Sequence, residues 1–348
     1  MEPKKFIQRT IAYTFLTLVL ISAIVVVIDP FSRYHAPWFG LAAVETDERT
    51  SAIGVARNLE YDTALIGSSM SENFKRSWFE DGVFGNKCVK LSLQGAHYGD
   101  YRPVLDEVLK HPGTKNVVFC LDTYLFADAA DAYPQTIEDY YVADVGLSDI
   151  HYLLNKSVVF DYIPKFLVTN VREGYDNDNA YVWSDDYQYS KYAARLAYMS
   201  ERLLTPQPEK PYDAYFENAD AFTDPFIEQI KSHPDVTFYL YAPPYSMLFW
   251  DDVVLRGNAT ATICVQEREY KKLLECENVR LFYFQDDKDV ITDLANYRDY
   301  SHYKQDVNYY MYEAMRDGTH EITSDTYYDV LLDMYNYAIT YDYEQCFH

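Results

Sequence analysis

Near the start of the chain lies an uncharged run, residues 11–28, reading IAYTFLTLVLISAIVVVI. As a helix it spans about 27 Å, close to the hydrocarbon thickness of a bilayer. Lys4, Lys5 and Arg9 precede it, and Asp29 and Pro30 stop it. The basic flank places the short N-terminus in the cytoplasm and everything after Asp29 outside. A cleaved signal peptide would have a shorter apolar stretch followed by an A-x-A site, and none is visible. The next segment, DPFSRYHAPWF, reads instead as an interfacial stem, with Tyr34 and Trp38 at headgroup depth. A buried core helix would leave the basic flank unexplained. The expectation is a cytoplasmic N-terminus (1–10), an uncleaved signal-anchor (11–28), a stem (29–58) and a body (59–348).

Composition bounds the body. The chain has 348 residues, enough for one large or two small domains with a full core. It carries 30 Lys+Arg against 54 Asp+Glu, a net charge of −24. Removing the first 28 residues takes away more basic than acidic charge, so the outward body is more acidic still. Such a surface lacks the basic footprint that nucleic acid requires. An anionic lipid or wall polymer would have to be engaged through local groups rather than net charge. An apolar share of 49% argues against disorder. The 36 Tyr suit an aromatic-rich core and clefts lined with hydroxyls. Five scattered Cys form no CxxC pair, which excludes a zinc ribbon and a thioredoxin-type motif. Cys88 and Cys120 read as buried small hydrophobes, and a Cys264–Cys276 disulfide is left open.

The body alternates strand-like and helical stretches. LEYDTALIG (59–67), CVKLSLQG (88–95), NVVFCLDTYLF (116–126), VTFYLYAPPYS (236–246) and VRLFYF (279–284) are short apolar runs. Helical patterns occupy 101–109 and 252–276. This predicts an α/β fold, an open parallel sheet flanked by helices in three layers, with ligands beyond the carboxyl ends of the strands. Residues 128–225 break the rhythm and read as a mainly helical insertion on the sheet. DNDN (176–179) lacks the central Gly and the twelfth-position Glu of a calcium loop, so it reads as a solvated loop.

Two motifs carry chemistry. Gly67-Ser68-Ser69-Met70-Ser71 follows a strand directly, where a tight turn exposes a hydroxyl and aims backbone N–H groups at a developing oxyanion. A Ser-rich turn or helix cap is the plainer reading of the same residues. Asp299-Tyr300-Ser301-His302 spaces a carboxylate three residues from an imidazole. That carboxylate can fix the ring tautomer, so that the other nitrogen takes a serine proton. A surface loop with incidental charges is the plainer reading here.

Taken together, these blocks resemble the SGNH (GDSL-type) hydrolase superfamily. The similarity is to its membrane-anchored branch, related to the teichoic-acid D-alanylation protein DltD and to alginate O-acetylation proteins. DPFSRYHAP, YDTALIGSSMSENF, LSLQGAHYGD, LYAPPYS and DYSHY carry it. The resemblance implies an SGNH/flavodoxin-like sheet, with Ser69 as nucleophile, His302 as base and Asp299 as its orienting acid. The backbone N–H groups of Ser69 and Gly95 would form the oxyanion hole. Ser68 and Ser71 are rival nucleophiles whose positions do not match the block. The chain departs from the pattern after the third strand, where the family's Asn is replaced by Leu121-Asp122-Thr123-Tyr124. An ionised Asp122 would repel an oxyanion, and a lost donor lowers rate by about two to three orders of magnitude.

The resemblance implies a bacterial, single-pass membrane protein with its body on the extracytoplasmic side. It would be a serine esterase or acyltransferase acting on O-acyl groups of an envelope polysaccharide or teichoic acid, beside a membrane-bound O-acyltransferase. No cofactor or metal is expected, since no HxxxH or facial His/carboxylate cluster appears. Tyr241, Tyr245 and Trp250 are candidates for lining a sugar cleft, with core packing as their equal alternative. A reading from another class is a catalytically weak module of this type that binds glycan or docks the acyltransferase. The replaced Asn favours it, and the intact Ser69, Asp299 and His302 oppose it.

Overall fold

A computed structural model of the chain describes residues 3–45, 47–129, 137–172 and 176–348. These form two compact units, one from Met1–Glu60 with Thr136–Ala180 and one from Tyr61–Gln135 with Tyr181–His348.

The first unit begins with the helix Pro3–Ile28, long and apolar enough to cross a membrane. Its apolar side chains face outward; Ile11, Phe15 and Leu16 are all more than 60% exposed, and Val25 is its one buried residue. A core helix hides such side chains, so the core-helix reading does not hold here. The helix stops at Asp29, whose φ of 42° leaves the helical region. The Asp29 carboxylate accepts the backbone N–H groups of Arg33 (3.0 Å), Tyr34 (2.6 Å) and His35 (3.1 Å) and the Tyr152 hydroxyl (2.9 Å). Burial pushes the Asp29 pKa up against these bonds. Arg33 is buried in an ion pair with Asp149, and it also donates to the carbonyl oxygens of Tyr141 (3.0 Å) and Ala143 (3.3 Å). A buried guanidinium is tolerated only with such partners. The stem is therefore tied to residues 136–180. The stretch 128–225, expected as one insertion, is divided, with 136–180 in this unit and 128–135 and 181–225 in the other. Its residues 130–136 and 173–175 lie outside those described. DNDN forms a short turn in which Asp176 accepts the Asp178 N–H at 3.0 Å.

The second unit is an α/β fold around one mostly parallel open sheet. Its strands are β1 (Thr63–Gly67), β2 (Cys88–Ser92), β3 (Asn116–Cys120), β4 (Thr237–Ala242), β5 (Val279–Tyr283) and β6 (Glu321–Ile322), in the order β2-β1-β3-β4-β5-β6. The first five strands pair in parallel, and β6 runs antiparallel at the edge. Every residue of β1 and β2 is buried, as the continuous apolar runs of a sheet covered on both faces require. The two-residue β6 was not expected. The helical pattern at 252–276 is two helices, Met247–Leu255 and Ala259–Leu273, with a break at Arg256-Gly257-Asn258. All five Cys are free thiols, so Cys264 and Cys276 form no disulfide.

The topology chooses where a ligand goes. From β1 the chain steps outward to β2, then returns to lay β3 on the other side of β1. The carboxyl ends of β1 and β3 thus diverge into opposite connections and leave a crevice at the switch point. Ser69 lies just beyond β1, and Asp122 just beyond β3.

Candidate active site

The turn after β1 is built by small residues. A Cβ on Gly67 would lie 2.6 Å from Cys120 Cβ on neighbouring β3, so only glycine lets the strands approach here. Ser68 caps the one-turn helix Ser69–Glu72 by accepting the Met70 N–H at 3.2 Å. In its first turn the Ser69 N–H has no intrahelical acceptor. The far end of the turn is held by buried donors. Lys90 Nζ donates to the carbonyl oxygens of Glu72 (2.7 Å) and Phe74 (2.9 Å). The Tyr303 hydroxyl (3.1 Å) and Asn308 Nδ2 (2.9 Å) both donate to Met70 O, and Gln305 Nε2 donates to Asn73 O at 2.8 Å. The segment just after His302 therefore grips the turn that carries Ser69.

The loop 297–303 is closed by its own backbone, with a bridge between Tyr297 and Tyr303 and a 3.0 Å bond from Arg298 N–H to His302 O. Asp299 Oδ1 accepts the N–H groups of Ser301 (2.9 Å) and His302 (2.7 Å), which folds the carboxylate back over the ring. The Tyr297 hydroxyl donates to Pro244 O (2.7 Å) and the Ser246 hydroxyl to Tyr300 O (2.6 Å), fastening the loop to the bend after β4.

These supports bring three side chains into line across 233 residues of sequence. Ser69 Oγ lies 2.9 Å from His302 Nε2. His302 Nδ1 lies 2.8 Å from Asp299 Oδ2 and 3.1 Å from Oδ1. An ionised carboxylate only accepts, so Nδ1 carries the ring proton and Nε2 keeps its lone pair for the serine O–H. Burial pushes the Asp299 carboxyl up, but the bonds from the His302 ring and from the His302 and Ser301 N–H groups outweigh it. They hold the carboxyl well below the usual carboxylate range. The Arg298 guanidinium adds a bond to Asp299 Oδ2 at 3.2 Å while stacking over the rings of Trp183 and Tyr187. Trp183 meets the His302 ring edge-on, at 5.6 Å between centroids.

The rival serines are placed differently. Ser68 is 1% exposed and used as a cap, and Ser71 is 2% exposed with its hydroxyl bonded to Ser68 O and Ser92 Oγ, both at 2.7 Å. The Ser69 hydroxyl is the one held against the imidazole.

Ser69 and His302 border a cleft of about 290 Å³ whose walls also include Gly95, Asp122, Tyr124, Tyr245, Phe249 and Tyr300, with Asp299 behind the imidazole. Gly95 has φ of +60° with open space where a Cβ would stand, the left-handed conformation that glycine takes without strain. Among the sugar-cleft candidates, Tyr245 lines the cleft. Tyr241 and Trp250 do not; they are 1% and 0% exposed and belong to the core. Tyr241 packs edge-on against Phe74 instead. Sequence reasoning missed Trp183, Arg298, Phe249 and Tyr300. Of these, Arg298 and Tyr300 flank the Asp299 motif directly, and that adjacency was the available signal.

Among the described residues, Asp220, Asp224 and Glu269 form the acidic group close enough to hold a cation. The Lys272 ammonium already lies among them, bonded to Asp220, and 2.9 Å from both Asp224 and Glu269.

No protein-family model matches the chain, and no curated protein matches it.

Proposed function

We propose that the second unit is a serine acyl-transfer enzyme in which Ser69 is the nucleophile, His302 the general base and Asp299 the group that orients and charges the base. One observation carries the reading: the continuous Ser69–His302–Asp299 hydrogen-bond line at the mouth of the sheet's switch-point crevice. A serine hydroxyl is a weak nucleophile until a base at hydrogen-bond distance can take its proton as it attacks. His302 Nε2 meets that condition, and the oriented tautomer keeps it ready. In the proposed step Ser69 Oγ bonds to the ester carbonyl carbon, its proton passes to Nε2, and the carbonyl electron pair moves onto oxygen. The N–H groups of Ser69 and Gly95 would bind that oxygen, as the resemblance implies. Collapse expels the alcohol, which leaves with the proton from Nε2, and the acyl group remains on Ser69. Water or a sugar hydroxyl then receives it by the reverse sequence.

The resemblance to the membrane-anchored SGNH branch supplies the substrate class, an O-acylated polysaccharide or teichoic acid of the bacterial envelope. The cleft volume suits a short acyl group with part of one sugar. The aromatic rings of Tyr124, Tyr245, Phe249 and Tyr300 border the cleft, the kind of apolar wall a pyranose packs on. The N-terminal helix, as an uncleaved anchor with Lys4, Lys5 and Arg9 on the cytoplasmic side, would tether this unit outside the membrane, beside a membrane-bound O-acyltransferase.

The test is to incubate the full chain in detergent with O-acetylated polysaccharide and follow acetate release and acetyl transfer to an added oligosaccharide. One of the two products is expected from wild type, and neither from Ser69→Ala above the uncatalysed background. Equal yields from both proteins would contradict the proposal.

A further inference from the structure

Asp122 is an unusual residue to find in this cleft. It stands two residues beyond β3, on the strand adjacent to β1, and it borders the cleft with Ser69, Gly95 and His302. It is 0% exposed. One oxygen, Oδ1, accepts the Tyr245 hydroxyl. The other, Oδ2, is buried with no hydrogen bond to any described residue. Among the described residues, no Lys or Arg is paired with it. A buried carboxylate with no counter-charge bears a large desolvation cost, whereas a neutral carboxylic acid bears little.

The groups that face Asp122 offset only part of that cost. Cys120 lies on its own strand, and Tyr101, Tyr124, Tyr241, Tyr245 and Tyr303 surround it from the neighbouring elements. Burial holds each of these thiol and phenol groups protonated, so none supplies charge. His302 is the facing group that acts on Asp122 as positive charge. Burial pushes the Asp122 carboxyl above its ordinary value, and outweighs the bonds from the Tyr245, Ser68 and Cys120 side chains.

We propose that Asp122 is a neutral acid whose Oδ2–H donates a third hydrogen bond to the oxyanion formed on Ser69 attack. This rests on the acyl-transfer reading above. The proton is shared in a hydrogen bond and not transferred; the serine proton alone moves, to His302 Nε2. A protonated carboxyl offers an O–H where an amide would offer an N–H, so the chain retains three donors despite having Asp after β3. A buried carboxylic acid kept neutral by its surroundings is an established way to supply such a bond.

The test is the rate at which a fluorophosphonate labels Ser69 in the full chain, measured across pH, because the phosphonyl oxygen enters the same donor set. Asp122→Ala is expected to label about 100-fold more slowly. Asp122→Asn, which restores a neutral donor, is expected to recover most of that loss. The wild-type rate should fall as rising pH ionises Asp122, and Asp122→Asn should lack that fall. Wild-type speed in a folded Asp122→Ala would overturn the proposal. So would Asp122→Asn as slow as Asp122→Ala, or the same fall with rising pH in Asp122→Asn, which serves if the Ala variant does not fold. A wild type that does not label at all overturns the acyl-transfer reading itself, and this proposal with it; that result is distinct from a reactive wild type matched by its Asp122 variants.

Discussion

Replacing His302 with Ala is expected to slow acylation of Ser69 by about five to six orders of magnitude, the scale seen when a nucleophile–base pair loses either member. The expectation follows from the single contact at Ser69 Oγ, the 2.9 Å bond to Nε2. Without it the hydroxyl must attack as a neutral alcohol or lose its proton to water first. The measurement is the pre-steady-state release of p-nitrophenol from a p-nitrophenyl ester, with wild type and variant compared at one pH. The fold should survive, because the grip on the Ser69 turn comes from Tyr303, Gln305 and Asn308 and not from the imidazole. A folded variant that loses less than tenfold would show that some other group takes the proton.

Asp299→Asn is the second large effect, about four orders of magnitude in the same assay. An amide at this place can present its NH₂ to Nδ1. The ring then moves its proton to Nε2, which points a donor at Ser69 in place of a lone pair. The carboxyl titrates well below the usual carboxylate range, so it stays ionised above about pH 4 and adds no limb of its own to the pH–rate profile. Its folded-state pKa is depressed. The stability it contributes is therefore fully present above the unfolded value of about 3.9 and lost as pH falls through the folded one. Thermal melts of wild type and Asp299→Asn should accordingly converge in acid and separate toward neutrality. A variant that keeps its rate would mean the ring is oriented by Ser301 Oγ, 3.2 Å from Nδ1, and not by the carboxylate.

The residues legible in the sequence were those whose role is set locally. Ser69 follows a strand-ending glycine that its neighbour strand requires, and Asp299 reaches His302 within one turn of chain. The sheet was legible because strands buried on both faces must be apolar throughout. What escaped notice depends on partners far along the chain. Arg33 and Asp149 are 116 residues apart, and no pattern within 128–225 signals that 136–180 joins the stem. Trp183 reaches His302 from more than a hundred residues upstream. Tyr241 and Trp250 are written with the same letters as cleft aromatics, and only burial separates them from Tyr245. The helix break at Gly257 is hidden because the apolar spacing continues on both sides of it.

The central claim is that one serine of the Gly67–Ser71 turn is made nucleophilic by a distant imidazole. Peptide mapping by mass spectrometry after fluorophosphonate treatment of the full chain tests this most directly. The account predicts a single phosphonyl adduct on Ser69, absent after prior denaturation and absent from His302→Ala on the same timescale. An adduct on Ser68 or Ser71, or none in the folded protein, would contradict it.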